Sequence, residues 1–491
     1  SLQAGDIIHI RAGVYVETYT DYNSKPLWTT CLNPSSNGSE VGNIILQNYA
    51  NEDVTIKVSE VVENLFAFKD NSFWTIRANP LGGTLTLDAN KKALQVVSVF
   101  GSNKIYLQNF TAKNATTTGF GGINILPDAV SGTHVSSPEY SEYIYIEGCT
   151  VHDISKCHGI KISQNVKNVY VKKCSIYSNG TNGISVSGGD ETDKEFCPEH
   201  IYISGCSLYN NGGSGISFNV CSNIYCYENT VYSNCSNLSD EGGIVYTNTG
   251  SLDGTNINIY RNYVHDNPGW NEIRCIGGTG NKVMNFYVWG NLVHSSQNSQ
   301  ENANVYFRHI ENGHIYNNSI YRSGDGGYSY SSCIGIASNC SGSWYVKNNI
   351  GVINVDGRAA FYQGISNGVT ADNNNWRNLA DLTDTVRWIN AWYGDEASGG
   401  GNIDDYKVDF EPHSKFDEPL WVDSSPAKAN DFYIHYNSPC REGGANLGVP
   451  YNVDYFNKFR TSPWCIGGCE YSSISVAPST PTELRAIFIE E

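Results

Sequence analysis

The chain has 491 residues, only 16% of them charged, and a formal net charge of −18. That balance argues against a nucleic-acid partner, which needs a basic face, and makes a polyanionic glycan an awkward ligand unless a basic patch or a metal ion intervenes. No run of 18 apolar residues occurs, so no membrane span is expected.

The opening "SLQAGDIIHIRAGVY" does not have the form of a signal peptide. The 15 cysteines point instead to an oxidising compartment, and so to a secreted or cell-surface protein. Their odd number leaves at least one without a partner in the chain. Eight N-x-S/T sequons fit the same reading and suggest a glycoprotein: Asn37, Asn109, Asn114, Asn179, Asn234, Asn237, Asn317 and Asn339.

The first predicted strands lie in "AGDIIHIRAGVYVE" (4–17). From there one unit recurs every ~30 residues. Aligned on the corner after its first strand, it ends at Asn48, Asn79, Asn109, Cys149, Cys174, Cys206, Asn229, Asn262, Asn291, Asn318, Asn349 and Asn373. A short strand such as "TVHD", "SLYN" or "YVHD" follows, then a loop, then a Gly-Ile alternation: "GIKI" (159–162), "GISV" (183–186), "GISF" (215–218) and "GIVY" (243–246). Alternation over four or five residues argues half-buried strands. No helical pattern separates them, which excludes a doubly wound α/β fold. Three short strands per unit, each unit stacked on the next, predict an all-β parallel β-helix of about twelve coils and roughly 60 Å.

The corner asparagines are expected to stack, each amide donating to and accepting from its neighbours. Asn109, as a ladder member, is then expected to be buried and unglycosylated. Cys149, Cys174 and Cys206 share that corner on successive coils with Cα atoms about 5 Å apart, within disulfide range. Two of them bridging or a free stack of three thiols both fit, and the free stack is favoured.

The rod is expected to run over 1–376. A capping region, 377–471, contains "TDTVRWINAWYG" as a short helix and "DEASGGGNIDD" as a flexible acidic loop. A polar tail, 472–491, ends in a strand-like piece suited to docking on a neighbouring subunit.

At this point a resemblance is visible. "AGDIIHIRAGVYVE" resembles the entry strand of many extracellular members of the right-handed, single-stranded parallel β-helix superfamily, the pectate-lyase-like fold. The segment "DFYIHYNSPCREGGANLGVPYNVDYFNKFRTSPWCIGGCEY" (431–471) resembles the closing segment of a large uncharacterised branch. That branch carries Ala-Ile-Asp-Ala-Gly and Asp-Ile-Gly-Ala runs where this chain has "CREGG" and "CIGGCEY". The departure suggests Cys440 bridged to Cys465 or Cys469; Cys333 and Cys340 are further disulfide candidates.

Characterised relatives are often polysaccharide lyases or glycoside hydrolases with sites on the outer face of one sheet. Lys161 is expected to point outward in a column with Asn124, Ser185, Ser217, Val245, Arg274 and Arg308. A lyase needs such a base and a cation, but Lys161 is expected three coils from Arg274, roughly 14–15 Å, too far for one sugar. A hydrolase needs two carboxylates about 5–10 Å apart. Asp240 and Glu241 precede one outer strand, and Glu272 holds the matching place on the next coil.

The acidic loop with Asp190 and Asp193 lacks the spacing of a calcium loop and reads as a solvated insertion with at most a weak calcium site. No other cofactor is expected. His152, His265 and His294 recur after the corner and read as a stacked structural feature, with no carboxylate partner at metal spacing. A tyrosine column (Tyr145, Tyr170, Tyr202, Tyr225, Tyr260, Tyr287, Tyr316, Tyr345) is expected on one strand. Sheet packing is its favoured use, with sugar stacking as the other.

Two functions remain. One is an extracellular structural glycoprotein that self-associates through an uncovered first coil and the tail into a filament or surface structure. The other is a secreted polysaccharide-active enzyme, a hydrolase before a lyase.

Overall fold

In a computed structural model, every third strand joins the same sheet. Two sheets of 13 strands and one of 15 run side by side along the chain. The structure describes residues 2–18, 30–116, 120–127, 140–188, 197–237, 241–248, 254–278, 283–296, 303–324, 331–355, 358–365, 367–380, 385–388, 391–394, 401–402 and 410–471. One coil shows the plan: Glu199–Ser204 lies in the first sheet, Ser207–Tyr209 in the second and Ile216–Asn219 in the third. Each pairs in parallel with its counterpart one coil on. Thirteen coils, one more than the spacing predicts, make a rod of about 60 Å.

Strict alternation places the core. Ile201 and Ile203 point inward and are fully buried, while Tyr202 between them points out. Inward residues of all three sheets merge into one apolar column along the rod axis.

The corner between the first and second sheets has a fixed conformation. One residue takes a left-handed φ, as at Gly148 (+64°), Lys173 (+52°), Gly205 (+63°), Glu228 (+56°) and Arg261 (+52°), and the next residue enters the core. This corrects two assignments. Asn109 is itself the left-handed residue (φ +57°) and is exposed, with Phe110 taking the interior place. Asn373 (φ +56°) is likewise at the turn, and Asn374 is the interior residue.

The interior asparagines form the expected ladder. Asn229, Asn262, Asn291, Asn318 and Asn349 each donate both their backbone N–H and Nδ2 to the Oδ1 of the next asparagine, at 2.9–3.1 Å. The second Nδ2 hydrogen goes back to a carbonyl of the preceding coil, for example Asn291 to Ile259 at 3.0 Å. Cys149, Cys174 and Cys206 precede this ladder as free thiols in the same corner. Cys206 donates its backbone N–H to Asn229 Oδ1 at 3.0 Å.

A second ladder, beyond the one the sequence predicts, follows one corner later. Asn179, Asn211, Asn234 and Asn267 are linked in the same way, with sequence steps of 32, 23 and 33 residues.

The C-terminal segment lies along the flank of the rod. Trp421, Phe432, Ile434 and Ile466 pack on Tyr263, Leu292, Tyr321 and Ile350 of the second sheet. Gly468 N–H donates to Ser319 Oγ at 2.9 Å and Asn348 Nδ2 to the Ala445 carbonyl at 2.8 Å. The short helix expected in "TDTVRWINAWYG" is instead an antiparallel pair of strands, Val386–Trp388 and Ala391–Gly394. Val, Trp and Tyr favour strands, and Val386 continues the third sheet by pairing with Phe361. Most of the acidic loop and the whole 472–491 tail lie outside the described residues.

Candidate functional site

The outward column of the third sheet runs Ser98, Asn124, Lys161, Ser185, Ser217, Val245, Arg274, Tyr306. Lys161 and Arg274 are therefore four coils apart, not three, about 19 Å. Arg308 leaves the column. It pairs with Ile276 two residues further along the strand and is exposed, while Tyr306 takes the expected place. Arg274 lies over the Trp270 ring at 5.1 Å. The three cations do not converge on one sugar.

The upper part of this column is polar yet buried. Ser98 Oγ donates to Asn64 Oδ1 at 2.7 Å, and Asn124 Nδ2 to Gln95 Oε1 at 2.8 Å. Lys161 Nζ donates to Ser185 Oγ at 3.2 Å. Burial pushes the Lys161 ammonium below its ordinary range. His158 at the start of the same strand shares a hydrogen bond between Nδ1 and Thr181 Oγ1 at 2.9 Å. Burial, and then the Lys161 charge, push His158 down to about 3.

That shift makes a pH prediction. A histidine with a depressed folded pKa contributes stability above its unfolded value near 6.5, and loses it as pH falls toward the folded value. Between pH 6.5 and 5 the loss is about 2 kcal/mol. Urea titrations at the two pH values on wild type and His158→Asn are expected to show this difference only in wild type. An equal slope in both proteins would count against it.

The proposed acid pair does not form an outer cleft. Glu241, partly buried, accepts a short hydrogen bond from Ser214 Oγ. Asp240 lies outside the described residues. Glu272 is 0% exposed and points into the rod. It accepts Asn267 N–H on Oε1 at 3.2 Å and Asn267 Nδ2 on Oε2 at 2.6 Å.

The physical reason is the polarity of the ladder. Every ladder asparagine hands its backbone N–H and one Nδ2 hydrogen to the next coil, so the last one faces a position that must accept twice. A carboxylate is acceptor-only and two-pronged. The first ladder ends on a Ser-Glu pair: Asn374 donates Nδ2 to Glu411 Oε2 at 2.9 Å and its N–H to Ser414 Oγ at 2.8 Å, and Ser414 Oγ and Trp376 Nε1 donate to the same buried carboxylate. Aligned amide dipoles leave positive ends there, which favours an anion.

On the first sheet, Tyr106, Tyr145, Tyr170, Tyr202 and Tyr225 stack with centroids 4.7–4.9 Å apart. The expected column slips at Tyr260 and Tyr316, whose places hold Asn258 and His314. Stacked rings cover one another's faces, leaving edges and hydroxyls to solvent. That suits packing, at roughly 0.5–1.5 kcal/mol per pair, better than sugar stacking.

His152, His265 and His294 do stack on tyrosines of the second sheet: His152 on Tyr177, His265 on Tyr232 and His294 on Tyr321. The expectation that they lack a carboxylate partner is corrected. Asp153 pairs with His152, and Asp266 lies against both His265 and His294. The calcium candidates Asp190 and Asp193 lie outside the described residues.

The remaining assignments divide by burial. Asn179, Asn234 and Asn317 are at most 2% exposed and their amides are engaged, Asn179 and Asn234 in the second ladder and Asn317 with Asn348 and Tyr451. A glycan on Nδ2 does not fit there. Asn37, Asn237 and Asn339 are exposed, and Asn114 is half-buried with Nδ2 on Asp88.

Cys333, Cys340, Cys440, Cys465 and Cys469 are free thiols, which corrects the proposed disulfides. Cys440 Sγ accepts from Asn375 Nδ2 at 2.9 Å, and Cys465 and Cys469 share its apolar cluster unbonded. Cys333 Sγ donates to the Val352 carbonyl at 3.2 Å, and Cys340 is buried as a separate thiol. Such thiols act as small apolar side chains, so their number no longer argues for an oxidising compartment.

Residues 93–255 match the family model described as "Right handed beta helix region", and the chain has the fold of a right-handed parallel β-helix. No curated protein matches it. Among solved structures, the A-module of mannuronan C-5 epimerase AlgE6 from Azotobacter vinelandii aligns at 16% identity over 69% of this chain and 91% of its own, with TM-score 0.44. Pectate lyase Pel9A aligns at 11% identity over 96% and 89%, with TM-score 0.47. An N-terminal fragment of bacteriophage phi29 gene product 12 aligns at 15% identity over 75% and 67%, with TM-score 0.43. These likenesses bear on the fold alone.

Proposed function

We propose that this right-handed parallel β-helix is a structural rod that assembles into a filament or surface structure, and that it is a secreted or cell-surface glycoprotein, a reading now supported by the exposed sequons Asn37, Asn237 and Asn339 and no longer by the cysteines. One observation carries the non-catalytic part of this reading. Glu272, the acid a hydrolase would need beside Glu241, closes an internal asparagine ladder and is 0% exposed. Outward polar groups behave in the same way. Asn64, Gln95, Ser98 and Asn124 bond one another, and Lys161 bonds Ser185 on the next coil. Side chains that could do chemistry instead hold coils together.

A second reading, a polysaccharide-active enzyme, is favoured by Lys161 itself. A largely buried lysine whose charge is disfavoured, hydrogen-bonded to a serine hydroxyl, is a proton acceptor nearer neutral pH than a surface lysine.

Electron microscopy of the purified chain without added glycan tests the assembly. Regular fibres, tubes or arrays are expected; dispersed single rods at all concentrations would sink it. The same preparation, with Lys161→Met and Glu241→Gln variants, is assayed on a panel of plant and algal polysaccharides. No depolymerisation is expected. Product formation lost in Lys161→Met would replace the structural reading with the enzymatic one.

A further inference from the structure

We propose that His265, Asp266 and His294 form a binding site for a divalent transition-metal ion of the zinc class, linking two consecutive coils. His265 ends the strand Tyr263–His265, and His294 holds the same place one coil on, in Leu292–Ser295. Asp266 follows His265 at a left-handed turn, φ +51°. Its Oδ2 lies 3.1 Å from His265 Nδ1 and 3.3 Å from His294 Nδ1, and all three atoms fall within 4.8 Å of one another.

Those two distances have a simple meaning. Zinc holds imidazole nitrogen and carboxylate oxygen at about 2.0–2.1 Å in a tetrahedron, whose edges are then about 3.3 Å. Two imidazoles and a carboxylate suit zinc and its first-row neighbours, not calcium or magnesium.

A second observation points to a ligand. His294 is 6% exposed, and its Nδ1 faces Asp266 without the alignment of a hydrogen bond, so that buried atom has no hydrogen-bond partner. A buried nitrogen left this way is costly in a folded protein, and a metal would satisfy it.

The surroundings hold the ligands still. His265 stacks on Tyr232 and Tyr263, and His294 stacks on Tyr321. Ser296 donates its N–H (3.1 Å) and Oγ–H (2.7 Å) to Asp266 Oδ1, which leaves Oδ2 for the ion. Outer partners of this kind orient ligands in metal sites. His265 and Asp266 keep partial exposure, so water completes the shell.

The rod also contains its own control. His152 and Asp153 repeat the His-Asp pair, but the next coil offers Tyr177 in place of a second histidine. Among the described residues, the site occurs only where two successive coils both present histidine.

The test is titration of the full chain with zinc and with cobalt(II), by calorimetry and visible absorption. Wild type and His152→Phe are expected to bind one equivalent, with no thiolate-to-cobalt band. His294→Phe, which keeps the ring stack, and Asp266→Asn are expected to bind at least about a hundredfold more weakly, and Ser296→Ala about tenfold more weakly. Melting without metal checks that each variant is folded. No binding by wild type overturns the proposal, as does unchanged affinity in His294→Phe or a thiolate band.

Discussion

Glu272→Ala is expected to lower the stability of the rod by about 3–5 kcal/mol. The loss has two parts. Asn267 loses the acceptor of its backbone N–H and of one Nδ2 hydrogen, while Nδ2 keeps the Val231 carbonyl, and each buried donor that loses its acceptor costs about 1–3 kcal/mol. The missing side chain also leaves a void in a core that is otherwise closed. Glu272→Gln separates the effects. It fills the space but offers one acceptor where two are needed, and turns an NH₂ toward a donor. An intermediate loss, about 2 kcal/mol, is expected. Urea unfolding of the three proteins at neutral pH measures both. A catalytic Glu272 would behave in the opposite way, with Glu272→Gln abolishing turnover and leaving the midpoint where it was. Unchanged midpoints in both variants would mean that the ladder needs no closing acceptor.

The architecture was open to reading because its signal repeats. A strand with alternating Ile and Tyr, such as "IYISGC", gives the same answer on every coil, and errors in one unit are corrected by the next. The register of the corner was harder to read. Two adjacent residues there both favour asparagine for different reasons, the left-handed turn and the ladder. Pairs such as Asn317-Asn318, Asn348-Asn349 and Asn373-Asn374 satisfy both. Where only one asparagine is present, as at Asn109, pattern alone does not say which role it has.

The site residues failed for a related reason. Glu272 in "NEIRCI" looks like an acid at a strand entrance, and only the direction of the hydrogen bonds reveals a terminator. The signal for the second ladder was present, since Asn179, Asn211, Asn234 and Asn267 recur with the spacing of the first corner. The sequence does not mark Asp266 as a partner of His294, because that histidine lies one coil away. Contact across coils depends on exact pairing of Tyr263–His265 with Leu292–Ser295. The disulfide expectation failed because proximity in the fold does not set the direction of a thiol. Cys440 turns to Asn375.

The Gly-Ile alternation, read first as a strand mark, has a steric cause that predicts a second large effect. Gly159, Gly183, Gly215 and Gly243 open successive strands of the third sheet, opposite the second asparagine ladder. A Cβ on Gly183 would lie 2.7 Å from the Gly215 carbonyl oxygen, 2.9 Å from Leu208 Cδ2 and 3.0 Å from Asn211 Nδ2. None of these neighbours can yield easily. Leu208 is fully buried, and Asn211 is fixed by its ladder bonds to Asn234 and Ile176. The Gly215 carbonyl accepts from Ile184, while Gly183 itself donates to Ser214 and accepts from Ile160, all at 2.9–3.0 Å. To admit one methyl group, the coil must open its spacing or break the ladder. Gly183→Ala is therefore expected to cost about 3 kcal/mol, the upper range for overpacking. Ser217→Ala, on the outward face of the same sheet, is expected to change stability by less than about 0.5 kcal/mol. The contrast isolates sterics from composition, because both changes place an alanine in or directly before a third-sheet strand. Equal midpoints for the two variants in urea would show that the glycine column follows from backbone preference and owes nothing to the ladder behind it.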